Sequence, residues 1–118
     1  MPTFSIFNNE PDVRSFQAGQ AIFSEGQPDN DLMYAVLDGE VEIVRQQHLL
    51  ETIPPGGVFG EMALLDDQPR SATAIAKTAC RIAVITVKRL TLLVSQNPHF
   101  ALDLMRVLVG RVRRNLAS

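Results

Sequence analysis

A chain of 118 residues has the length of one domain, since domains run ~100–200 residues. It can bury a core without disulfide or metal staples. Hydrophobic residues at 46% and charged residues at 20% match ordinary globular proteins and exclude disordered and low-complexity classes. The net charge of −2 hides a segregation: residues 1–67 hold twelve acids against Arg14 and Arg45, whereas residues 68–118 hold nine Lys and Arg against Asp103. Either the two halves pack together and their charges pair, or the second half presents positive charge to an anion.

No apolar run approaches the ~20 residues of a membrane span, and Met1-Pro2-Thr3-Phe4 lacks the charged start and apolar stretch of a secretory leader. The expectation is a soluble, cytoplasmic protein. Cys80 is the one cysteine, so neither an intrachain disulfide nor a cysteine-built zinc site is available. In the apolar run Cys80-Arg81-Ile82-Ala83-Val84-Ile85 it reads as a small buried hydrophobe. His48 and His99 lack partners at ligand spacing, so no metal or cofactor is expected.

The first ten residues, with Phe4, Ile6 and Phe7, read as a lead-in with one helical turn. Short strand-like runs follow: Val13 to Phe16, Ala21 to Phe23, Leu32 to Leu37, Val41 to Arg45 and Leu49 to Ile53. They are punctuated by Gln17-Ala18-Gly19-Gln20, by Glu25-Gly26-Gln27-Pro28-Asp29-Asn30 and by Pro54-Pro55-Gly56-Gly57. Asp38-Gly39 between two apolar runs predicts a hairpin. Ala72 to Lys77 and Arg81 to Val87 supply two more strands. Closely spaced strands without helices between them indicate a barrel or roll rather than a parallel sheet.

The pattern then changes. Leu90, Leu93 and Val94 give residues 88–95 helical spacing, and Asn97-Pro98 is a fresh helix start, with Asn capping free amides and Pro at the first position. Leu102, Met105, Val109, Val112 and Leu116 draw one apolar stripe along residues 98–116. Leu104 and Leu108 lie off it and are read as a second strip, able to support a weak helix-to-helix contact. Arg106, Arg111, Arg113 and Arg114 read as solvated helix charge in preference to a nucleic-acid or membrane patch. The fold class is mainly β with C-terminal helices, in a single domain 1–118 with the β-roll over about 12–87 and helices over about 88–95 and 98–116.

The informative stretch runs from Val58 to Ala74. A strand ends at Phe59, Gly60 permits close backbone approach, and Glu61 to Leu65 form one helical turn whose first amides are free for an anion. Arg70 opens the next strand with a planar fork suited to phosphate, and Ser71 adds a hydroxyl. Ionised Glu61 only accepts hydrogen bonds, so beside an anion it needs a hydroxyl donor such as a ribose 2′-OH. Phosphate plus ribose indicates a nucleotide. The competing reading places Glu61 in a favourable first helical turn and pairs Arg70 with Asp66 or Asp67 at the surface.

The run FGEMALLDDQPRSATA resembles the phosphate-binding cassette of cyclic nucleotide-binding domains, the family of the catabolite activator protein, protein kinase A regulatory subunits and cyclic-nucleotide-gated channels. The resemblance extends to Phe16, Gly19, Ile22, Phe23, Glu25 and Gly26 in the opening strands, to Leu37-Asp38-Gly39-Glu40-Val41 as a hairpin, to Ile53-Pro54-Pro55-Gly56 before the cassette, and to Asn97-Pro98. It covers roughly residues 12–116 and departs at Gly57-Val58, where the family favours an acidic and then an aromatic residue.

The resemblance implies a double-stranded β-helix, the jelly-roll-like β-roll of the family. It implies that Gly60, Met62 and Ala63 offer backbone amides to a cyclic phosphate, that Glu61 accepts the ribose 2′-OH, and that Arg70 and Ser71 hold the exocyclic oxygens. Ala72 completes the set. Base contact is implied for the last helix, near Arg111, Asn115 or Leu116. Ser71 where guanine binders often carry Thr favours cyclic AMP over cyclic GMP. The implied function is non-catalytic: a sensor whose last helix closes over the ligand to regulate an attached or separate effector. The expected partners are the cyclic nucleotide, an effector protein or domain, and a weak homodimer; no direct DNA binding is expected from this chain. The chain reads equally as a stand-alone sensor or as a domain of a longer protein. Two other classes are weighed. A degenerate interaction module would leave Arg70 and the turn amides with nothing but Asp66, Asp67 or water. A cupin-type metal enzyme would need His48 and His99 to converge, which their placement opposes.

Overall fold

The computed structural model describes residues 3–28, 30–64 and 67–114. A 3-10 turn at Ser5–Phe7 precedes eight strands: β1 Val13–Phe16, β2 Ala21–Phe23, β3 Leu32–Asp38, β4 Val41–Arg45, β5 His48–Ile53, β6 Val58–Phe59, β7 Thr73–Ala76 and β8 Cys80–Thr86. Helices α1 Val87–Gln96 and α2 Pro98–Arg113 follow, and a second 3-10 turn, Glu61–Leu64, lies between β6 and β7. The strands form two four-stranded antiparallel sheets, ordered β1-β8-β3-β6 and β2-β7-β4-β5. This is a β-roll with two C-terminal helices.

Alternation along the strands explains why some runs are apolar throughout. In β3, Tyr34 and Val36 enter the cluster that also holds Phe23, Ile43, Ile53 and Phe59 from both sheets. Their neighbours Met33 and Ala35 belong to a second cluster with Leu93 of α1 and Phe100, Leu104 and Val107 of α2. β8 divides the same way, Ile82 and Val84 in the first cluster, Ala83 and Ile85 in the second. Successive side chains point to opposite faces, so a strand covered on both faces loses its polar half.

The helices are tied back to the start of the chain. Phe4, Phe7 and Phe100 meet edge to face with centroids 5.5–6.1 Å apart. Glu10, with its carboxylate buried, accepts two hydrogen bonds from Arg89 of α1, at 2.8 and 2.7 Å. Arg81–Asp38, Lys77–Glu40 and Arg111–Glu51 likewise join the basic half to the acidic half, so the segregated charges pair. Cys80 is buried.

Three expectations are corrected. Asp38-Gly39 is not a hairpin: β3 and β4 lie in different sheets, and the turn carries the chain from one to the other. Gly39 has φ +85° and packs so closely that a Cβ would lie 2.3 Å from the Ala79 carbonyl oxygen, so glycine is required there for a reason unconnected with strand pairing. The true two-residue hairpin joins β4 to β5, where Arg45 pairs with His48 and Gln46 and Gln47 adopt φ of 50° and 69°; no glycine or asparagine advertises it. Asn97 does not cap α2 with its side chain; its Nδ2 donates to the Leu93 carbonyl and closes α1.

The third correction concerns α2. Leu102, Met105, Val109 and Val112 are exposed, whereas Phe100, Leu104, Val107 and Arg111 are buried; Leu116 lies outside the described residues. Both rows repeat at three and four, and the row with the aromatic ring faces the sheet. Leu104 is therefore core and unavailable for a helix-to-helix contact, and Leu108 is half-buried. Replacing Phe100 by Ala should cost ~3–5 kcal/mol, and replacing Met105, 54% exposed, about 0.5 kcal/mol or less. Urea unfolding of the two variants checks this, and equal losses would reverse the assignment of faces.

Candidate ligand-binding site

The cassette residues lie where β6 ends. Gly60, at φ +74°, is hemmed in: a Cβ would lie 3.1 Å from Arg70 Nη1, 3.1 Å from Tyr34 Cδ2 and 3.2 Å from Phe23 Cε2. Backbone conformation and space both demand glycine. The 3-10 turn Glu61–Leu64 follows at once, and places Glu61, Met62 and the Ala63 backbone in sequence along it.

Arg70 is buried, 4% exposed, and is not the surface residue of the competing reading; Asp66 lies outside the described residues. Its guanidinium lies 4.2 Å over the Phe23 ring and donates to the Gly60 carbonyl at 3.0 Å, to Asn30 Oδ1 at 2.6 Å and to the Leu32 carbonyl at 2.9 Å. Its backbone is held as firmly, exchanging hydrogen bonds with Gly26 and Gln27 of the β2–β3 turn. The expectation that Arg70 has only Asp66, Asp67 or water to satisfy it without an anion is therefore overturned. Carbonyl and carboxamide oxygens carry no full charge, so these contacts satisfy hydrogen bonding without neutralising the cation. A buried guanidinium with a planar fork suits an anion nearby.

Glu61 is 2% exposed, and its Oε2 lies 3.1 Å from Arg111 Nη1 of α2, itself 2% exposed. Neither Glu61 oxygen accepts a well-aligned hydrogen bond among the described residues. Arg111 also donates to Glu51 Oε2 at 2.9 Å and to the Val58 carbonyl at 2.6 Å. Burial raises the Glu61 pKa above its ordinary 4.5; Arg111 opposes that shift and neighbouring Glu51 adds to it. Arg111 is thus not solvated helix charge, the reading that suits exposed Arg106, Arg113 and Arg114. It joins the proposed ribose-side carboxylate to the last helix.

Of the other predicted residues, Ser71 is exposed, with its carbonyl and hydroxyl accepting from Arg45 at 3.0 and 3.4 Å, and Ala72 is fully buried. Asn115 lies outside the described residues. Sequence reasoning missed Asn30, Arg45 and Glu51. Only Glu51 left a trace, as a charge interrupting the apolar residues of β5. Among the described residues no cluster of His, Cys, Asp and Glu is suited to a metal, and no helix is long and apolar enough to cross a membrane.

Residues 13–97 match the sequence profile of the cyclic nucleotide-binding domain. The chain belongs to the cyclic nucleotide-binding domain family. It is 32% identical over 111 residues to a CRP-like cAMP-activated global transcriptional regulator of Mycobacterium tuberculosis, covering 87% of this chain and 49% of the relative. This domain also superposes on the catabolite activator protein of Thermus thermophilus with a TM-score of 0.79 and 30% identity, over 88% of this chain and 51% of that one. The EAL enzyme Bd1971 is similar at 35% identity, over 88% of this chain and 29% of that one. It was solved both bound to cGMP, with a TM-score of 0.65, and bound to cAMP, with a TM-score of 0.64. The domain spans about half the length of the regulator it matches.

The state of Glu61 leaves a mark on stability. A carboxyl whose pKa is raised on folding binds more protons in the folded chain than in the unfolded one, so its contribution to stability falls as pH rises from about 4.5 toward the raised value. Glu61→Gln removes that titration while keeping an acceptor for Arg111. The difference in unfolding free energy between wild type and Glu61→Gln should shift in favour of the variant as pH rises through this window; a pH-independent difference would refute the raised pKa.

Proposed function

We propose that this domain is a non-catalytic cyclic nucleotide sensor that binds cyclic AMP, with cyclic GMP the weaker ligand, and regulates an attached or separate effector through α2. The observation that carries the reading is Glu61: a buried carboxylate beside Arg111, without an aligned donor, one residue beyond the glycine whose carbonyl holds Arg70. A ribose 2′-OH donating to Glu61 supplies the aligned donor the carboxylate lacks, and a cyclic phosphate is an anion suited to the Arg70 fork.

The roles then fall on the cassette. Arg70 and Ser71 bind the exocyclic oxygens, the Gly60, Met62 and Ala63 amides with Ala72 line the phosphate, and Glu61 holds the sugar. Arg111 reaches Glu61 from α2, so a ligand that alters the surroundings of Glu61 alters the hold on α2. It can shift that helix only by its difference in affinity between the two helix positions. The base lies toward the end of α2, near Arg111 and Asn115. Ser71 in place of a threonine supports the preference for cyclic AMP.

Each charge-assisted hydrogen bond is worth ~1.5–3 kcal/mol, so Arg70→Ala should weaken cyclic AMP binding by at least about tenfold. Glu61→Ala should weaken cyclic AMP but spare its 2′-deoxy analogue. Calorimetric titration with cyclic AMP and cyclic GMP side by side measures affinity, base choice and stoichiometry. An unchanged dissociation constant for Arg70→Ala, or equal losses on both sugars, refutes the assigned role.

The homodimer belongs on the exposed α2 row of Leu102, Met105, Val109 and Val112 instead of on Leu104. Sedimentation should show a concentration-dependent dimer that Met105→Glu abolishes; an indifferent variant removes α2 from the contact.

A further inference from the structure

We infer that Phe23, on β2, is a positioning residue of the phosphate site, its ring setting the plane in which the Arg70 fork meets the anion. The inference rests on the cyclic nucleotide reading and assigns to it a side chain outside the cassette that carries no polar atom.

The Arg70 guanidinium carbon lies over the Phe23 ring, 4.2 Å from its centroid. A guanidinium is flat, so its edges and its faces are governed separately. The edge contacts, to the Gly60 and Leu32 carbonyls and to Asn30 Oδ1, set where the nitrogens point. Whatever meets those edges, the tilt of the plane is limited by what lies against its face. An aromatic ring there acts twice, as a flat wall and as a π face that attracts the cation, most strongly where water is excluded. Phe23 is 2% exposed and Arg70 4%, so the contact is dry. Two parallel hydrogen bonds to one phosphate need the fork and the anion's oxygens in register, and a tilted fork loses one of them.

The same ring borders the other half of the site. A Cβ at Gly60 would lie 3.2 Å from Phe23 Cε2 and 3.1 Å from Arg70 Nη1. Ring, guanidinium and the glycine that opens the cassette turn therefore close on one point. Phe23 is itself held by two further rings: its centroid lies 6.0 Å from that of Phe59, the residue before Gly60, and 5.8 Å from that of Tyr34. Those two stack on each other at 5.3 Å. All three belong to the inter-sheet core, where close packing leaves each ring little freedom. The end of β6, the Gly60 turn and the Arg70 fork thus share one aromatic floor built from β2, β3 and β6. An aliphatic side chain would fill much of that space without offering a flat, electron-rich face.

The test is a double-mutant cycle on the full chain, by calorimetry with cyclic AMP titrated to millimolar concentration. Phe23→Leu should weaken binding about fivefold, but less than about twofold in an Arg70→Ala chain, where the ring has no fork to orient. Phe23→Tyr keeps the face and should bind within about twofold of wild type. Loss of packing alone would weaken binding equally in both Arg70 backgrounds. If Phe23→Leu does not fold, Phe23→Met, whose flexible chain fills irregular space, takes its place in the cycle. Unchanged affinity for the aliphatic variant, the same fold-loss with and without Arg70, or a tyrosine variant as weak as the aliphatic one would each overturn the positioning role while leaving nucleotide binding intact. A wild-type chain that binds neither cyclic AMP nor cyclic GMP would overturn the nucleotide reading itself, and this inference with it.

Discussion

A guanidinium buried at the far end of a helix is costly to desolvate, and it persists only where acceptors and opposite charge surround it. Arg111 meets that requirement with Glu51 from β5, Glu61 from the cassette and the Val58 carbonyl from β6. These three partners come from separate elements, so the position of α2, the end of β6 and the conformation of the cassette are mutually dependent. Losing any one partner leaves the other charges buried and under-compensated, and such losses are severe even where the intact cluster adds little net stability. The arrangement specifies geometry more than it adds stability. It makes the binding region and the last helix parts of one electrostatic unit.

Around that unit the β-roll acts as a two-sided scaffold. β3 and β8 divide their residues between the inter-sheet core and the layer beneath the helices, so the strands that meet the helices on one face line the core on the other. Tyr34 illustrates the link. It stacks on Phe59 at 5.3 Å between centroids and borders Gly60 and Arg70, while its chain neighbours Met33 and Ala35 pack in the helix layer.

How much of this was legible in the sequence differs from place to place. Strand positions were, because alternation and turn residues are local signals. The hairpin at Asp38-Gly39 was misread because a positive φ marks a turn without saying whether the strands it joins share a sheet. The turn at Gln46-Gln47 showed only as a break between two strand-like runs, because its residues do not advertise the positive φ they adopt. The inward face of α2 was hidden by Arg111, a charge in a row otherwise apolar. Within the site, Gly60, Glu61 and Arg70 stood out because they are close in sequence and resemble a known cassette. Asn30, Arg45 and Glu51 approach from other strands and turns, and no local pattern announces a partner contributed across the fold.

The aromatic trio of Phe4, Phe7 and Phe100 has a mechanical consequence. Rings locked edge to face at 5.5–6.1 Å resist sliding, because any translation of one edge drives it into a neighbouring face. Phe4 is also anchored through its amide to the Gly56 carbonyl, at 2.7 Å, in the turn that feeds β6. The opening residues of the polypeptide therefore behave as a tether between the approach to the cassette and the root of α2. Phe100 thus joins the start of α2, through Phe4, to the turn that feeds β6.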